Sequence, residues 1–205
     1  MKFKSAFILG LLILNLINSV ISGGAADFNG INLKRGFKDT KNHNPVITQK
    51  FSADPGVMVY NGRVYVYSTH DGLLQSSRPA ENVYSKIGEL NIMSSSDMVN
   101  WSDHGSYKIA GSGGVARWAS NSWAPTAAHK KINGKEKFFL YFANNGSGIG
   151  VVVSDSPTGP WTDPLGRALI TKSTPNCNVE WLFDPAVLVD DNGTGYLYFG
   201  GGVPA

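Results

Sequence analysis

Asp54 in Ala53-Asp54-Pro55 and Asp184 in Phe183-Asp184-Pro185 lie 130 positions apart, each followed by proline and an apolar run. A single Asp-Pro pair commonly opens a turn, because proline fixes φ and offers no N–H. Two such pairs at matched places in a repeated unit make both aspartates candidate catalytic groups. Hydrolysis of a glycosidic bond uses two carboxyl groups across one cleft. Here one would take a proton from water as general base. The other would hold or tune a neighbouring acid, since a close like charge favours that acid's protonated form. Trp123, two residues before Pro125, and Trp181, three before Asp184, offer indole faces on which the C–H faces of a sugar stack. Trp101 and Trp161 read as packing residues, and Trp118 fits either role.

The elements that position these residues form a repeat starting at Phe51. Copy one runs from Ala53-Asp54-Pro55 through a strand at 56–60, the turn Asn61-Gly62 and a strand at 63–67. A strand at 90–94 and a Trp101-bearing outer segment complete it. Copy two runs from Trp123-Ala124-Pro125 through a strand at 126–132, Asn133-Gly134, strands at 137–142 and 149–154, and a segment bearing Trp161. Copy three opens at Glu180-Trp181-Leu182-Phe183-Asp184-Pro185, with the strand 186–189, an Asn192-Gly193 turn and the strand 196–199. Four strands per unit is the plan of a propeller blade, so the expected fold is an all-β propeller with minimal helix. The first strand of each blade lines the axis, which would bring Asp54 and Asp184 to one axial pocket. Propellers close rings of ~4–8 blades. Two blades and part of a third are therefore expected to be the N-terminal fragment of a longer protein.

The bulk properties narrow the alternatives. The 205 residues include 24 glycines, as turn-rich β structure requires, and the formal charge is +3. Without Lys2 and Lys4 the charge is +1, which gives no support to a nucleic-acid partner. Residues 1–24 read as a signal peptide: a basic start, an apolar run from Ala6 to Ile21 and small residues after it. Two asparagines and a short apolar length argue against a membrane anchor, so a secreted, extracellular protein is expected. Residues 25–43 read as a polar lead-in and residues 44–205 as the globular part. Cys177 is the only cysteine, which excludes an intramolecular disulfide. Glycosylation triplets begin at Asn100, Asn145 and Asn192. The run from Asp190 to Gly195 has part of a calcium-loop pattern, but it lacks the acidic twelfth position and reads as a hairpin turn. The four histidines show no ligand spacing, and no metal site is assigned.

These motifs together resemble glycoside hydrolase family 43. The resemblance is carried by Ala53-Asp54-Pro55 with Val64-Tyr65-Val66-Tyr67, by Ser122-Trp123-Ala124-Pro125, and by the stretch from Ile149 to Trp161. Phe183-Asp184-Pro185 with Asp190-Asp191-Asn192-Gly193 completes it. It covers roughly residues 44–205, and the wording is most similar to arabinoxylan arabinofuranohydrolases. The resemblance implies a five-bladed propeller, of which this chain would hold about two and a half blades, and an inverting mechanism. It implies Asp54 as general base and Asp184 as the residue that orients the acid and raises its pKa. Trp123 and Trp181 would belong to the arabinose pocket. The family's general acid is a Glu of the fourth blade, absent from this chain, and Glu180 does not take that place. No cofactor is required. A structural calcium is implied only for the full-length protein, its ligand lying in later blades. The expected substrate is arabinoxylan or a related hemicellulose. A β-xylosidase or an arabinan-degrading enzyme of the same family is the alternative. So is an inactive, carbohydrate-binding remnant that lacks the acid.

Overall fold

The computed structural model describes residues 45–71 and 84–202. The expected signal peptide and the whole of the lead-in lie outside the described residues. Two four-stranded antiparallel sheets and one hairpin account for the regular structure. The first sheet is β1 (Ser52–Tyr60), β2 (Arg63–His70), β3 (Glu89–Ser95) and β4 (Ser102–Lys108), paired in that order. The second is β5 (Trp123–Ile132), β6 (Lys135–Ala143), β7 (Gly148–Ser154) and β8 (Ile170–Thr171). The hairpin pairs β9 (Ala186–Val189) with β10 (Gly195–Tyr198). The single helical piece among the described residues is a 3₁₀ turn at Tyr84–Lys86.

Turn chemistry sets the register. Asn61-Gly62 and Asn133-Gly134 connect their strands with both residues at positive φ (47° and 71°, then 50° and 79°). This is the type I′ hairpin, whose twist matches that of the flanking strands and whose residues must tolerate the left-handed region. The third hairpin differs from the expected Asn-Gly turn. Its connection spans Asp190 to Thr194, and of these only Gly193 has positive φ. The reason lies in the side chains. Thr194 N donates to Asp190 Oδ1 at 2.8 Å and to Asn192 Oδ1 at 2.9 Å, while Asp190 N donates to Thr194 O at 3.0 Å. Carboxylate and amide oxygens thus replace backbone acceptors and stabilise a wider loop.

The outer edge of the second sheet also departs from a continuous Trp-bearing strand. Val153 and Thr162 exchange two hydrogen bonds of 2.8 Å as an isolated bridge, and β8 then pairs at Gly148 and Ile149. Between them, Asp163 Oδ1 accepts from Leu165 N and Gly166 N and turns the chain out of the ladder. Trp161 leaves the edge altogether. Its ring is buried in the core, edge-on to Tyr67 at 6.4 Å. Trp101 instead makes a local bond, its indole N–H donating to Met98 O at 3.3 Å.

The main core lies between the two sheets. Met58, Tyr65, Tyr67, Leu90 and Ile92 from the first meet Ala127, Phe138, Leu140, Phe142 and Val152 from the second. Burying each of the larger side chains contributes about 1.5–3 kcal/mol. The inner strands β1 and β5 come close enough that a Cβ on Gly56 would sit 2.2 Å from Pro125 O. That oxygen belongs to the backbone and has no rotamer to yield. Gly56→Ala is therefore expected to lower stability by about 3 kcal/mol, the upper part of the usual overpacking range. Thermal unfolding checks this, and an unchanged midpoint would contradict the close approach.

Candidate active site

Three residues before proline share one conformation. Asp54, Ala124 and Asp184 have φ of 48°, 41° and 49°. In β1 and β5 this is where the register jumps, between Ala53 and Gly56 and between Trp123 and Thr126. On the far side of the jump pairing resumes as Ala53 with Thr69 and Trp123 with Ala143. The third unit does the same: Gly200 N donates to Phe183 O at 3.0 Å, and Trp181 N to Gly201 O at 3.1 Å. Ala53, Trp123 and Phe183 are thus equivalent, as are Asp54, Ala124 and Asp184. A left-handed non-glycine residue is uncommon, and a following proline biases its predecessor toward extended backbone. Each such residue costs of order 1–3 kcal/mol and persists because its surroundings hold it. The surroundings are visible at Ala124, whose N–H donates to Thr69 Oγ1 across the sheets at 2.9 Å. The repeated bulge breaks the alternation of the inner strands and sets Asp54 and Asp184 at one cavity.

That cavity measures about 380 Å³ and is lined by Ala53, Asp54, Thr69, Asp71, Tyr84, Ile87, Trp123, Ala124, Ala143, Phe183 and Asp184. Its walls are aromatic: Trp123 meets Tyr84 edge-on at 6.5 Å and Phe183 at a tilt at 6.2 Å. Its polar groups are mainly the three carboxylates. The carboxyl of Asp54 is held above the ordinary aspartate value, first by partial burial and then by the charges of Asp184 and Asp71. A carboxylate made more basic in this way, facing a cavity with room for a small ring, suits proton abstraction from water.

The sequence-derived candidates fall into place unevenly. Asp54, Asp184 and Trp123 line the cavity. Trp181 is outside the lining, half-exposed, with its ring 5.5 Å from Phe183. By register the partner of Trp123 is Phe183, which the alignment of Trp123-Ala124-Pro125 with Phe183-Asp184-Pro185 would have revealed. Phe183 is fixed from behind by Gly146, whose missing Cβ would lie 2.9 Å from the ring, and Leu182 N donates to Gly146 O at 3.0 Å. Asp71, just past β2, carries no motif and was missed. Trp118 is structural: it stacks on Phe142 at 6.1 Å and donates to Asp163 Oδ2 at 2.8 Å. Glu180 does not line the cavity. Of the histidines, His70 and His129 pair with Glu89 and Glu136, and His104 Nε2 meets Ser94 Oγ at 2.8 Å. His43 lies outside the described residues. No group of three or more His, Cys, Asp or Glu among the described residues is arranged to hold a metal.

With this geometry in place, comparisons identify the lineage. The family described as "Glycosyl hydrolases family 43" matches residues 42–205. The chain is 56% identical over 172 residues to the arabinoxylan arabinofuranohydrolase of Paenibacillus polymyxa, covering 80% of this chain and 27% of that protein. It is 54% identical over 176 residues to the arabinoxylan arabinofuranohydrolase of Bacillus subtilis, covering 82% and 34%. A solved Bacillus subtilis arabinoxylan arabinofuranohydrolase, in complex with cellotetraose, superposes with TM-score 0.76 at 55% identity over 80% of this chain and 35% of that one. An α-L-arabinofuranosidase from Clostridium thermocellum gives TM-score 0.57 at 42% identity, covering 78% and 51%. The chain thus spans 27% and 34% of the lengths of the two curated arabinofuranohydrolases it matches. The fold is of β-propeller type, with two four-stranded sheets and one two-stranded hairpin among the described residues. The chain belongs to glycosyl hydrolase family 43.

Proposed function

We propose that this chain forms the base-bearing part of a secreted glycoside hydrolase that releases arabinose from arabinoxylan with inversion. The observation that carries the reading is the equivalence of Asp54 and Asp184: two carboxylates at the same left-handed bulge of two blades, on one aromatic-walled cavity. Asp54 is the general base. It accepts a proton from a water on the face of the anomeric carbon opposite the leaving oxygen. Asp184 orients the general acid and, as a like charge, keeps it protonated at working pH. The acid itself is a glutamate from a further blade of the whole protein, as the family resemblance implies. Trp123 and Phe183 supply the stacking faces for the pentose, with Trp181 backing Phe183.

A closed five-bladed ring fits the surfaces. Val57 and Val59 are exposed on the face of β1 opposite Met58, and Leu188, Tyr196 and Tyr198 are exposed on the third unit. In a ring of stacked blades such faces are covered by neighbours. Secretion rests on the sequence of residues 1–24 alone. The test is product analysis with the full-length protein on arabinoxylan, xylobiose and linear arabinan. Arabinose released from arabinoxylan is the expected result. Xylose from xylobiose would move the enzyme to the β-xylosidase reading, and arabinose from linear arabinan alone would move it to the arabinan-degrading one. No release from any of them would overturn the hydrolase reading.

A further inference from the structure

We propose that Asn144 is the positioning residue of the cavity's aromatic wall: from one tight turn it sets Tyr84, Trp123 and Phe183, and so fixes how tightly the terminal pentose is held. The proposal deepens the arabinosidase reading and rests on it. Asn144 follows Ala143, the last residue of β6, which pairs with Trp123 and lines the cavity beside it. The turn from Asn144 to Ser147 joins β6 to β7. Asn145 and Gly146 have φ of 49° and 68°, and Ser147 N donates to Asn144 O at 2.9 Å. This is again the type I′ geometry, a two-residue connection whose left-handed positions suit Asn-Gly.

From this turn, contacts reach all three aromatic residues. Toward Tyr84 they run through a relay. Asn144 Oδ1 accepts from Ser120 N at 2.9 Å, from Ser120 Oγ at 3.0 Å and from Asn121 N at 3.1 Å. Asn121, buried and so oriented, donates from Nδ2 to Tyr84 O at 3.0 Å and to Ile87 O at 3.1 Å. Ser122 N adds a bond to Ile87 O at 3.1 Å. The short turn Tyr84–Lys86 is thus gripped at both ends, and Tyr84 and Ile87 both line the cavity. Toward Trp123 the contact is the strand pairing of Ala143. Toward Phe183 it is Gly146, whose backbone lies against the ring and whose oxygen accepts from Leu182 N. Three donors saturate the carboxamide oxygen of Asn144. Without it the buried N–H of Asn121 lacks its acceptor, and the relay relaxes by moving the Tyr84 turn. The base is held by other contacts, since Asp54 belongs to the bulge of β1, which pairs with β2 through Ala53 and Thr69. Loss of the relay therefore loosens the sugar without displacing the proton acceptor.

The test compares wild type, Asn144→Ala and Asn144→Asp in the full-length protein, with arabinose-substituted xylo-oligosaccharides as substrate. Asn144→Ala is expected to raise KM about tenfold while kcat stays within about threefold, the pattern for misplaced binding groups around an intact base. Asn144→Asp keeps an acceptor oxygen at the same place and should hold KM within about threefold of wild type. A residue that served stability alone would lower the melting temperature on replacement by alanine and leave KM where it was. If Asn144→Ala fails to melt cooperatively, Asn121→Ala cuts the same relay one step nearer Tyr84 and should show the same split between KM and kcat. An unchanged KM in the folded alanine variant, or a KM raised equally by Asn144→Asp, would overturn the positioning role while leaving the hydrolase reading intact. A wild-type protein that cleaves no pentoside would overturn the reading beneath it.

Discussion

Asp54→Asn in the full-length protein is expected to lower kcat by about 10³–10⁴, the upper range for loss of a general base, while the dissociation constant for an arabinoxylan oligosaccharide stays within about threefold. The substitution is nearly isosteric and preserves the left-handed backbone, because asparagine tolerates that region well. The aromatic faces of Trp123 and Phe183 are untouched. What is lost is the capacity to receive a proton. Steady-state kinetics with titration calorimetry on the same variant separate the two effects. Turnover above about a tenth of wild type would remove Asp54 from the base role.

Asp184→Asn should be the second largest change, lowering kcat/KM by about 10²–10³ and moving both limbs of the pH profile to lower pH. The sign follows from charge. The base works deprotonated, and its pKa is raised in part by Asp184, so neutralising Asp184 lowers that pKa and shifts the acidic limb down. The acid works protonated, and losing a like-charged neighbour lets it ionise earlier, so the basic limb falls as well. A variant in which only the rate falls and neither limb moves would make Asp184 a purely structural bulge residue, like Ala124 at the equivalent place.

Much of this site was legible in the chain because its determinants are local. Asn-Gly at 61–62 and 133–134 fixes two hairpins through backbone preferences alone, and the Asp-Pro pairs sit at strand entries whose spacing those hairpins set. The unreadable parts depended on tertiary register. Nothing in Trp-Ala-Pro announces that Ala124 takes a positive φ. That conformation exists because β5 packs on the first sheet and Thr69 receives its N–H. Phe183 was overlooked because Trp181 is the more conspicuous aromatic, although ladder pairing places Phe183 opposite Gly200 and so in the site. Asp71 carries no motif, since its place on the cavity comes from where β2 ends. The broken outer edge at 162–171 and the five-residue turn at 190–194 turn on side-chain acceptors, Asp163 and Asp190 with Asn192, whose choice of partner is settled only once the strands are in place.

The central claim is that the cavity between Asp54, Asp184, Trp123 and Phe183 is where the pentose is held and cleaved. The most direct measurement is a crystal structure of the full-length Asp54→Asn variant with an arabinose-substituted xylo-oligosaccharide. The account predicts a terminal arabinose in that cavity, stacked on the Trp123–Phe183 wall, with its anomeric carbon facing residue 54 across one ordered water. An arabinose bound elsewhere, with this cavity filled only by solvent, would contradict it.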